Sequence, residues 1–238
     1  MKPAITPGEI LVTTTHASIE DKRIVTPQEF FTYDAANAEV TITRFRGGGC
    51  IIIPNKFDGL SLPVRHIGNN AFKQNGMLIN IIISEGITSI GEAAFMDCSS
   101  VSSITIPESV KSIGNHAFDG CASLVSITIP KGVKSIGHHA FYGCTSLESI
   151  TIPEGITSIS WAAFAGCTNL LSITIPEGVT SIMNGAFHGC TRLTGVTIPS
   201  SVTCFWDNAF SGSNAGQKAY EEWQNRKKRP SFLKRFLR

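Results

Sequence analysis

The sequence predicts an α/β repeat protein: a solenoid of about seven 23-residue coils, with a parallel β-sheet on one face, short 3₁₀ or helical turns on the other, and a C-terminal cap helix. An Ala-Phe pair returns every 23 residues, from Ala71-Phe72 to Ala209-Phe210. A cysteine column and a proline column keep the same period: Cys98, Cys121, Cys144, Cys167, Cys190, and Pro107, Pro130, Pro153, Pro176, Pro199. Apolar positions that stay in phase over so many repeats are typical of stacked coils.

Each coil begins with a strand. In residues 126–129, two isoleucines alternate with a serine and a threonine, which predicts a strand with one face in water. Pro130 ends this strand because it brings no amide donor to the ladder. Val133 and Ile136 then carry the chain around, through a second short strand or a bend. Residues 140–143, which end in glycine, predict a short 3₁₀ or helical turn.

A single coil is too small to bury its own apolar side chains, so each coil must stack on the next. Equivalent residues then form columns at the strand spacing of roughly 4.7–4.9 Å. We therefore expect the phenylalanines to form one buried spine. Its members are Phe72, Phe95, Phe118, Phe141, Phe164, Phe187 and Phe210.

The two ends of the chain depart from the repeat. Residues 1–38 form an N-terminal extension, which either packs partly on the first coil or serves as an arm for a partner; Ile10–Thr14 within it has strand composition. Residues 39–212 form the solenoid, and its irregular first coil is expected to shield the open end of the stack. Residues 213–238 are predicted to form a cap helix and a basic tail.

The predicted cap helix covers residues 214–228. Phe205 and Trp206 enlarge the last coil, which provides a docking surface for such a helix. The helix presents one apolar stripe formed by Ala215, Ala219, Tyr220 and Trp223. Basic residues follow at the end where the helix dipole favours positive charge, and Pro230 ends the helix.

Charge is unevenly distributed along the chain. The formal net charge is +2, but the segment from Gln217 onward carries +6 and the remainder −4. Residues 231–238 pair apolar with basic side chains, so the tail either contacts a membrane surface weakly or packs on the protein or on a second chain. Nucleic acid is not expected as a partner, because no basic or stacking surface continues onto the body.

Five of the seven cysteines lie on an apolar phase of the repeat, which predicts a ladder of buried free thiols. Disulfides and a metal site are the alternatives. The Cβ vectors of a repeating column run parallel, whereas a disulfide needs Cβ atoms that face each other about 3.5–4.5 Å apart. The chain contains no Cys-Xaa-Xaa-Cys, so zinc is not expected.

The phrase Ser-Ile-Thr-Ile-Pro-Glu-Gly-Val-Thr-Ser-Ile at residues 172–182, followed by Ala-Phe and Gly-Cys-Thr, resembles the BspA-type leucine-rich repeats of bacterial surface proteins. The resemblance covers residues 39–212. The resemblance implies a right-handed leucine-rich-repeat superhelix that binds other proteins. It also implies a cell-surface or secreted protein, for which adhesion to a host matrix protein is the expected role. The first residues, Met1–Pro7, contain no apolar leader, so a complete sequence would instead predict a cytoplasmic protein.

Catalytic motifs are not found: there is no Walker loop, no Gly-Xaa-Ser-Xaa-Gly and no His-Glu-Xaa-Xaa-His. Glutamates recur singly at one turn position, which is typical of a solvated column rather than an acid/base pair. We expect no enzyme, no catalytic residue and no cofactor. Two classes remain, a protein-binding module and a structural scaffold that forms homo-oligomers through its terminal segments.

The candidate binding residues lie where the repeat varies. Trp161 follows His138 by one coil, and His116 and His139 stand beside them in an adjoining column, with Tyr142 on the same edge. Three interpretations are open. The residues form a partner-binding patch, or His116 and His139 form a metal site, or the variation is neutral at solvated positions.

The strand face offers a second candidate surface. Thr128, Thr151 and Thr174 repeat on the solvent side of the predicted strands. Such a surface is flat and uncharged and lacks the large anchors that dominate binding energy. It is either a recognition surface or a soluble covering for the sheet.

Overall fold

The computed structural model describes residues 27–206 and 208–228. Each coil contributes one strand to a seven-stranded sheet, in which every neighbouring pair is parallel. Residues 23 positions apart face each other in the regular part, as Thr128 faces Thr151. With all strands numbered in chain order, those of this sheet are β3 (Gly49–Ile53), β5 (Leu78–Ile83), β7 (Ser103–Thr105), β9 (Ser126–Thr128), β11 (Ser149–Thr151), β13 (Ser172–Thr174) and β15 (Gly195–Thr197).

The opposite wall is built by two strands that precede β3 and by a second strand that follows the first in each later coil. These strands are β1 (Phe31–Ala36), β2 (Glu39–Phe45), β4 (Val64–Ile67), β6 (Ser89–Ile90), β8 (Ser112–Ile113), β10 (Ser135–Ile136), β12 (Ser158–Ile159), β14 (Ser181–Ile182) and β16 (Cys204–Phe205). One sheet runs from β1 to β10, and β12 begins a separate three-stranded sheet. The predicted second strand or bend is therefore a strand of two residues in the regular coils.

A glycine column explains where this wall divides. The amides of Gly91, Gly114 and Gly137 each donate to an isoleucine carbonyl in the preceding coil, at 2.8–3.0 Å. A Cβ on Gly137 would lie 2.4 Å from the backbone nitrogen of Asn115, so the coils approach too closely for any side chain. The next residue of the column is Ser160, and its hydroxyl, rather than a glycine amide, donates to the Ile136 carbonyl at 2.7 Å.

The predicted phenylalanine spine is confirmed. Neighbouring rings from Phe72 to Phe210 stack with centroids 4.8–5.5 Å apart, and each ring is at most 1% exposed. The turn that carries each ring is closed by an i to i+3 hydrogen bond, as from the Cys144 amide to the Phe141 carbonyl at 3.3 Å. This is the bond pattern of a single 3₁₀ turn.

The five repeat cysteines are free and buried in one column. Each thiol donates to a phenylalanine carbonyl 26 residues earlier, as Cys98 does to Phe72 at 3.0 Å and Cys144 to Phe118 at 3.2 Å. Burial raises the pKa of Cys98 to about 11 and that of Cys190 to about 12. The column therefore holds protonated thiols that act as small apolar groups.

The N-terminal end of the spine is covered by an aromatic cluster. Strand β1 pairs antiparallel with β2, and Phe31 is buried against Phe45, Phe57 and Phe72, with centroids 4.9, 5.7 and 6.5 Å away. Residues 31–36 of the predicted extension therefore pack on the first coil. The boundary between residues 38 and 39 stays a prediction, and the strand predicted at 10–14 lies outside the described residues.

The C-terminal end is covered by the predicted helix, α1 (Asn214–Lys228). Buried Ser213 caps it, because the Ser213 hydroxyl accepts the Gly216 amide at 3.2 Å. Phe205 packs on Tyr220 and Trp223, with centroids 4.6 and 5.3 Å away. The Trp223 indole also donates to the Val202 carbonyl at 3.1 Å, which ties the helix to the last coil.

The apolar and basic segment predicted at 231–238 lies outside the described residues. Among the residues that are described, no helix is both long and apolar enough to cross a membrane.

Candidate functional site

The turn after the second strand of each coil carries the candidate aromatic and histidine residues. His116 and His139 occupy the same position in successive coils and have φ of 54° and 56°. Ala93 and Ala162 share this left-handed conformation, as does Gly185. The backbone therefore holds the side chains of Ala93, His116, His139 and Ala162 at a similar angle to the turn. Sequence reasoning did not predict this conformation, because most of the residues in the column are not glycine.

The two stacked histidines form the centre of the site. The rings of His116 and His139 are 4.7 Å apart and within 7° of parallel. His116 Nδ1 lies 2.8 Å from Asp119 Oδ2, whereas His139 Nδ1 is buried with no hydrogen-bond partner among the described residues. Burial, and then the neighbouring His116, lower the pKa of His139. Both effects favour the neutral form of the His139 ring.

The adjoining column links His138 to Trp161. The Trp161 amide donates to His138 Nδ1 at 3.3 Å, so this ring nitrogen acts as the acceptor. The Asn115 side-chain oxygen accepts the His138 amide in the same way one coil earlier, at 2.9 Å. The Trp161 ring lies 5.8 Å from the His138 ring and is 50% exposed. The column therefore presents the indole to solvent on a hydrogen-bonded support.

A shallow groove of about 350 Å³ opens beside Trp161. Two columns change from a large side chain to a small one at this point. Ala162 and Gly185 follow His139 in one column, and Ala165 follows Tyr142 in the other. We call this groove the turn-edge groove. It is lined by His139, Tyr142, Trp161, Ala162, Ala165, Asn184, Gly185, His188 and Asn208. Tyr142 is 44% exposed, so two half-exposed aromatic rings line the groove over a floor of small residues.

The structure brings together five of the eight predicted site residues. Contacts of 4.7–5.8 Å between ring centroids join His116 to His139, His139 to Tyr142, and His138 to Trp161. The small residues of the floor and His188 were not among the predicted site residues. The drop from large to small residues within two columns is the sequence signal that identifies them.

The three predicted threonines lie elsewhere. Thr128, Thr151 and Thr174 are exposed on strands β9, β11 and β13 of the seven-stranded sheet. Val125 and Leu171, beside this threonine column, are 45% and 37% exposed. The threonines form a flat face of their own, separate from the residues that line the turn-edge groove.

The stacked histidines are poorly placed to share a metal ion. Their rings are parallel, so their lone pairs point side by side rather than toward one point, and Asp119 occupies one nitrogen of His116. Within residues 27–206 and 208–228, no group of three or more His, Cys, Asp or Glu side chains converges on one position. The described geometry gives this pair no third ligand.

A hydrogen-bonded chain that sequence reasoning missed lies on the opposite wall. His66 Nε2 is 2.9 Å from the carboxylate of Glu39, and His66 Nδ1 is 2.7 Å from the Ser89 hydroxyl. These residue types form the catalytic triad of many hydrolases. Ser89 lies on β6, which pairs with β4 and β8. The hydrogen-bonded chain therefore links side chains of three neighbouring strands, β2, β4 and β6.

The stacked parallel strands, the buried columns and the capped ends define the class of this protein, a leucine-rich-repeat solenoid. The sequence profile of the BspA-type leucine-rich repeat region matches six copies, over residues 65–175 and 89–217. The chain belongs to this BspA-type family. Proteins of this family and fold are typically non-enzymatic.

Solved structures of bacterial leucine-rich-repeat proteins are similar to this chain. The Treponema pallidum protein TpLRR is 31% identical, covers 71% of this chain and 91% of its own length, and gives a TM-score of 0.59. A protein of Bacteroides ovatus is 28% identical over 82% of this chain and 58% of its own, with a TM-score of 0.61. The pneumococcal vaccine antigen PcpA shares the fold at 22% identity, over 74% of this chain and 50% of its own, with a TM-score of 0.61. No curated protein matches the chain.

Proposed function

We propose that this protein is a non-enzymatic recognition module that holds a partner protein in the turn-edge groove. The observation that carries the proposal is the pairing of two half-exposed aromatic rings, Trp161 and Tyr142, with a floor of Ala162, Ala165 and Gly185. Membership of a leucine-rich-repeat family that binds proteins supports the same function.

The chemistry of the groove suits a protein partner. Tryptophan and tyrosine are the side chains that most often dominate binding energy at protein interfaces, since they bury a large area with few rotatable bonds. A floor of alanine and glycine admits a side chain of the partner between the rings. The amides of Asn184 and Asn208 at the border of the groove can pair with a partner backbone.

The core supports a function without catalysis. Ile, Val, Leu, Phe and Cys side chains fill the interior between the two walls. The Glu39–His66–Ser89 chain joins side chains of three neighbouring strands on the outer side of one wall, and Glu39 and His66 are only partly buried. An open position of this kind differs from the enclosed site that acyl transfer uses.

We also propose that the module acts at the cell surface, on a host or matrix protein, as the family resemblance implies. Protease treatment of intact cells tests the location, since a surface protein is cleaved before the cells lyse. Persistence of the full-length protein through this treatment would contradict it.

The groove is tested by binding of the full chain to purified collagen, laminin and fibronectin. We expect Trp161→Ala and the groove-filling Ala165→Arg to raise the Kd of the protein that binds by about tenfold or more, because they remove an anchor and close the floor. Trp206→Ala is the matched control, since this tryptophan is 46% exposed and does not line the groove. Unchanged affinity in both groove variants would remove the groove from the proposal, and failure of all three ligands to bind would remove the matrix partner.

A further inference from the structure

A second cleft lies at the first coil, where the solenoid begins. It has a volume of about 640 Å³ and is lined by residues 43–46, at the end of β2, and by residues that precede and follow Phe72. We call it the N-terminal cleft. Its lining residues are Thr43, Arg44, Phe45, Arg46, Asn70, Ala71, Lys73, Gln74, Asn75, Gly76 and Met77. Three of them are cations and none is a carboxylate.

The three cations are sequence neighbours of two buried phenylalanines, Phe45 and Phe72. Phe45 is 5% exposed and packs on Phe72, with centroids 5.2 Å apart. Arg44, near the end of β2, and Arg46, just after it, lie on either side of Phe45, and both are exposed. Lys73 follows Phe72 and is also exposed. The cap of the spine thus holds three positive charges on one rim.

These cations have no ionic partner among the described residues. The ion pairs found within residues 27–206 and 208–228 are His66 with Glu39 and His116 with Asp119. Glu92 and Asp97 occupy the columns of Asn69 and Gln74 one coil further on, outside the lining of the cleft. The positive potential of the rim is therefore not neutralised from within it.

The wall of the cleft is fixed by its own hydrogen bonds. The Asn75 side-chain nitrogen donates to the Gly47 carbonyl at 2.7 Å, and its side-chain oxygen accepts the Met77 backbone amide at 3.1 Å. Asn70 and Gln74 have φ of 59° and 60°, so the turn holds both amide side chains in the left-handed column positions. The cleft combines a hydrogen-bonded Asn75 side chain with three exposed cations.

We propose that the N-terminal cleft binds a sulfated polysaccharide. Guanidinium groups pair with sulfate oxygens through two parallel N–H donors, and the amides of Asn70 and Gln74 can both donate to and accept from sugar hydroxyls. Met77 is the one exposed apolar side chain of the lining, and no tryptophan or tyrosine stands there. A protein interface needs such anchors, whereas a ligand of high charge density does not. The ligand class is thus different from that proposed for the turn-edge groove.

The test uses the full chain and heparin as the sulfated probe, with affinity measured at physiological ionic strength. The basic tail also attracts polyanions, so the comparison must hold net charge constant. The cleft variant is Arg44→Ser/Arg46→Ser/Lys73→Ser, and the matched control is Lys111→Ser/Lys131→Ser/Lys134→Ser, which removes three exposed cations from the middle coils. All six side chains are exposed, so both variants are expected to fold, and circular dichroism and thermal unfolding check this.

We expect the cleft variant to raise the Kd for heparin by about tenfold or more and the control by less than about threefold, since charge-assisted contacts are lost only in the first. Desulfated heparin should bind weakly to both. An equal loss in the two variants would overturn the proposal, because the tail or the net charge would then account for binding. Equal, cleft-dependent binding of a polyglutamate peptide would also overturn it, in favour of an acidic protein partner.

Discussion

The rings of Phe118 and Phe141 lie 5.2 Å apart and within 18° of parallel, and neither ring is exposed. Each ring contacts the one before it and the one after it in the spine. Because the coils share this spine, the loss of one ring affects two interfaces rather than one.

We therefore expect Phe141→Ala to lower the free energy of unfolding by about 3–5 kcal/mol, the usual cost of truncating a buried phenylalanine. Urea unfolding followed by circular dichroism measures this value. Tyr142→Ala, at the next residue but 44% exposed, should change stability by less than about 1 kcal/mol. Similar losses of unfolding free energy at the two positions would argue against a stabilising role of the phenylalanine spine.

The glycine column makes a second prediction. Gly137→Ala places a Cβ 2.4 Å from the Asn115 nitrogen, and we expect a loss of about 1–3 kcal/mol from this overpacking. Gly195→Ala is the matched control, since a Cβ there meets nothing within 4 Å and the strand is exposed. This change should be neutral or stabilising by about 0.5–1 kcal/mol. Equal melting temperatures for the two variants would contradict the close approach of the coils.

Much of the fold could be predicted from the sequence because the 23-residue period places equivalent residues above one another. The buried phenylalanine and cysteine columns follow from that period alone. The cap helix was predicted from its apolar stripe and from the enlarged Phe205. These features depend on patterns that repeat or on composition that changes sharply.

The remaining features depend on differences between neighbouring coils. The turn-edge groove exists because Ala165 follows Tyr142 in one column, and the divided wall exists because Ser160 follows Gly137 in another. The contact of His66 with Glu39 crosses the irregular first coil, where the period gives no register. A single sequence shows each of these residues, but their effect appears only when the distances between coils are known.

Thiol reactivity provides a third prediction. Cys50 and Cys204 are exposed, whereas the five repeat cysteines are buried. An aromatic disulfide reagent at neutral pH should therefore modify two thiols of the folded protein rapidly and the other five only after unfolding. Counting the thiols released with and without urea measures this. Rapid modification of more than two in the folded state would place part of the column at the surface.

The same column predicts a loss of stability in alkali. Burial raises the pKa of Cys98 from 9.0 to about 11, so between these values the unfolded chain releases a proton that the folded chain retains. The stabilisation is complete below pH 9 and falls as pH rises toward the folded pKa. We expect unfolding free energy to decline from pH 9 to pH 11 and Cys98→Ala to weaken this decline. An identical slope in the variant would assign the effect to other groups.

His139 gives a prediction in the opposite range of pH. Burial, followed by the charge on His116, lowers the pKa of His139, so folding favours the neutral ring. The contribution of His139 to stability is present above pH 6.5 and decreases as pH falls below this value. NMR titration should show His139 protonating below its usual pKa, and His116→Gln should raise that pKa. Replacement of the distant His66 by Gln is the control and should leave the titration of His139 unchanged.

The change from Gly137 to Ser160 also bears on how an array of this kind changes its length. A coil copied from the glycine side of this point can be inserted between two others of its kind, because both of its surfaces match theirs. The coil that contains Ser160 is joined to the coil before it through the Ser160 hydroxyl instead, so its contact surface differs from that of a glycine coil. We therefore expect a copied coil to be accepted among the glycine coils and less readily at the joint before Ser160.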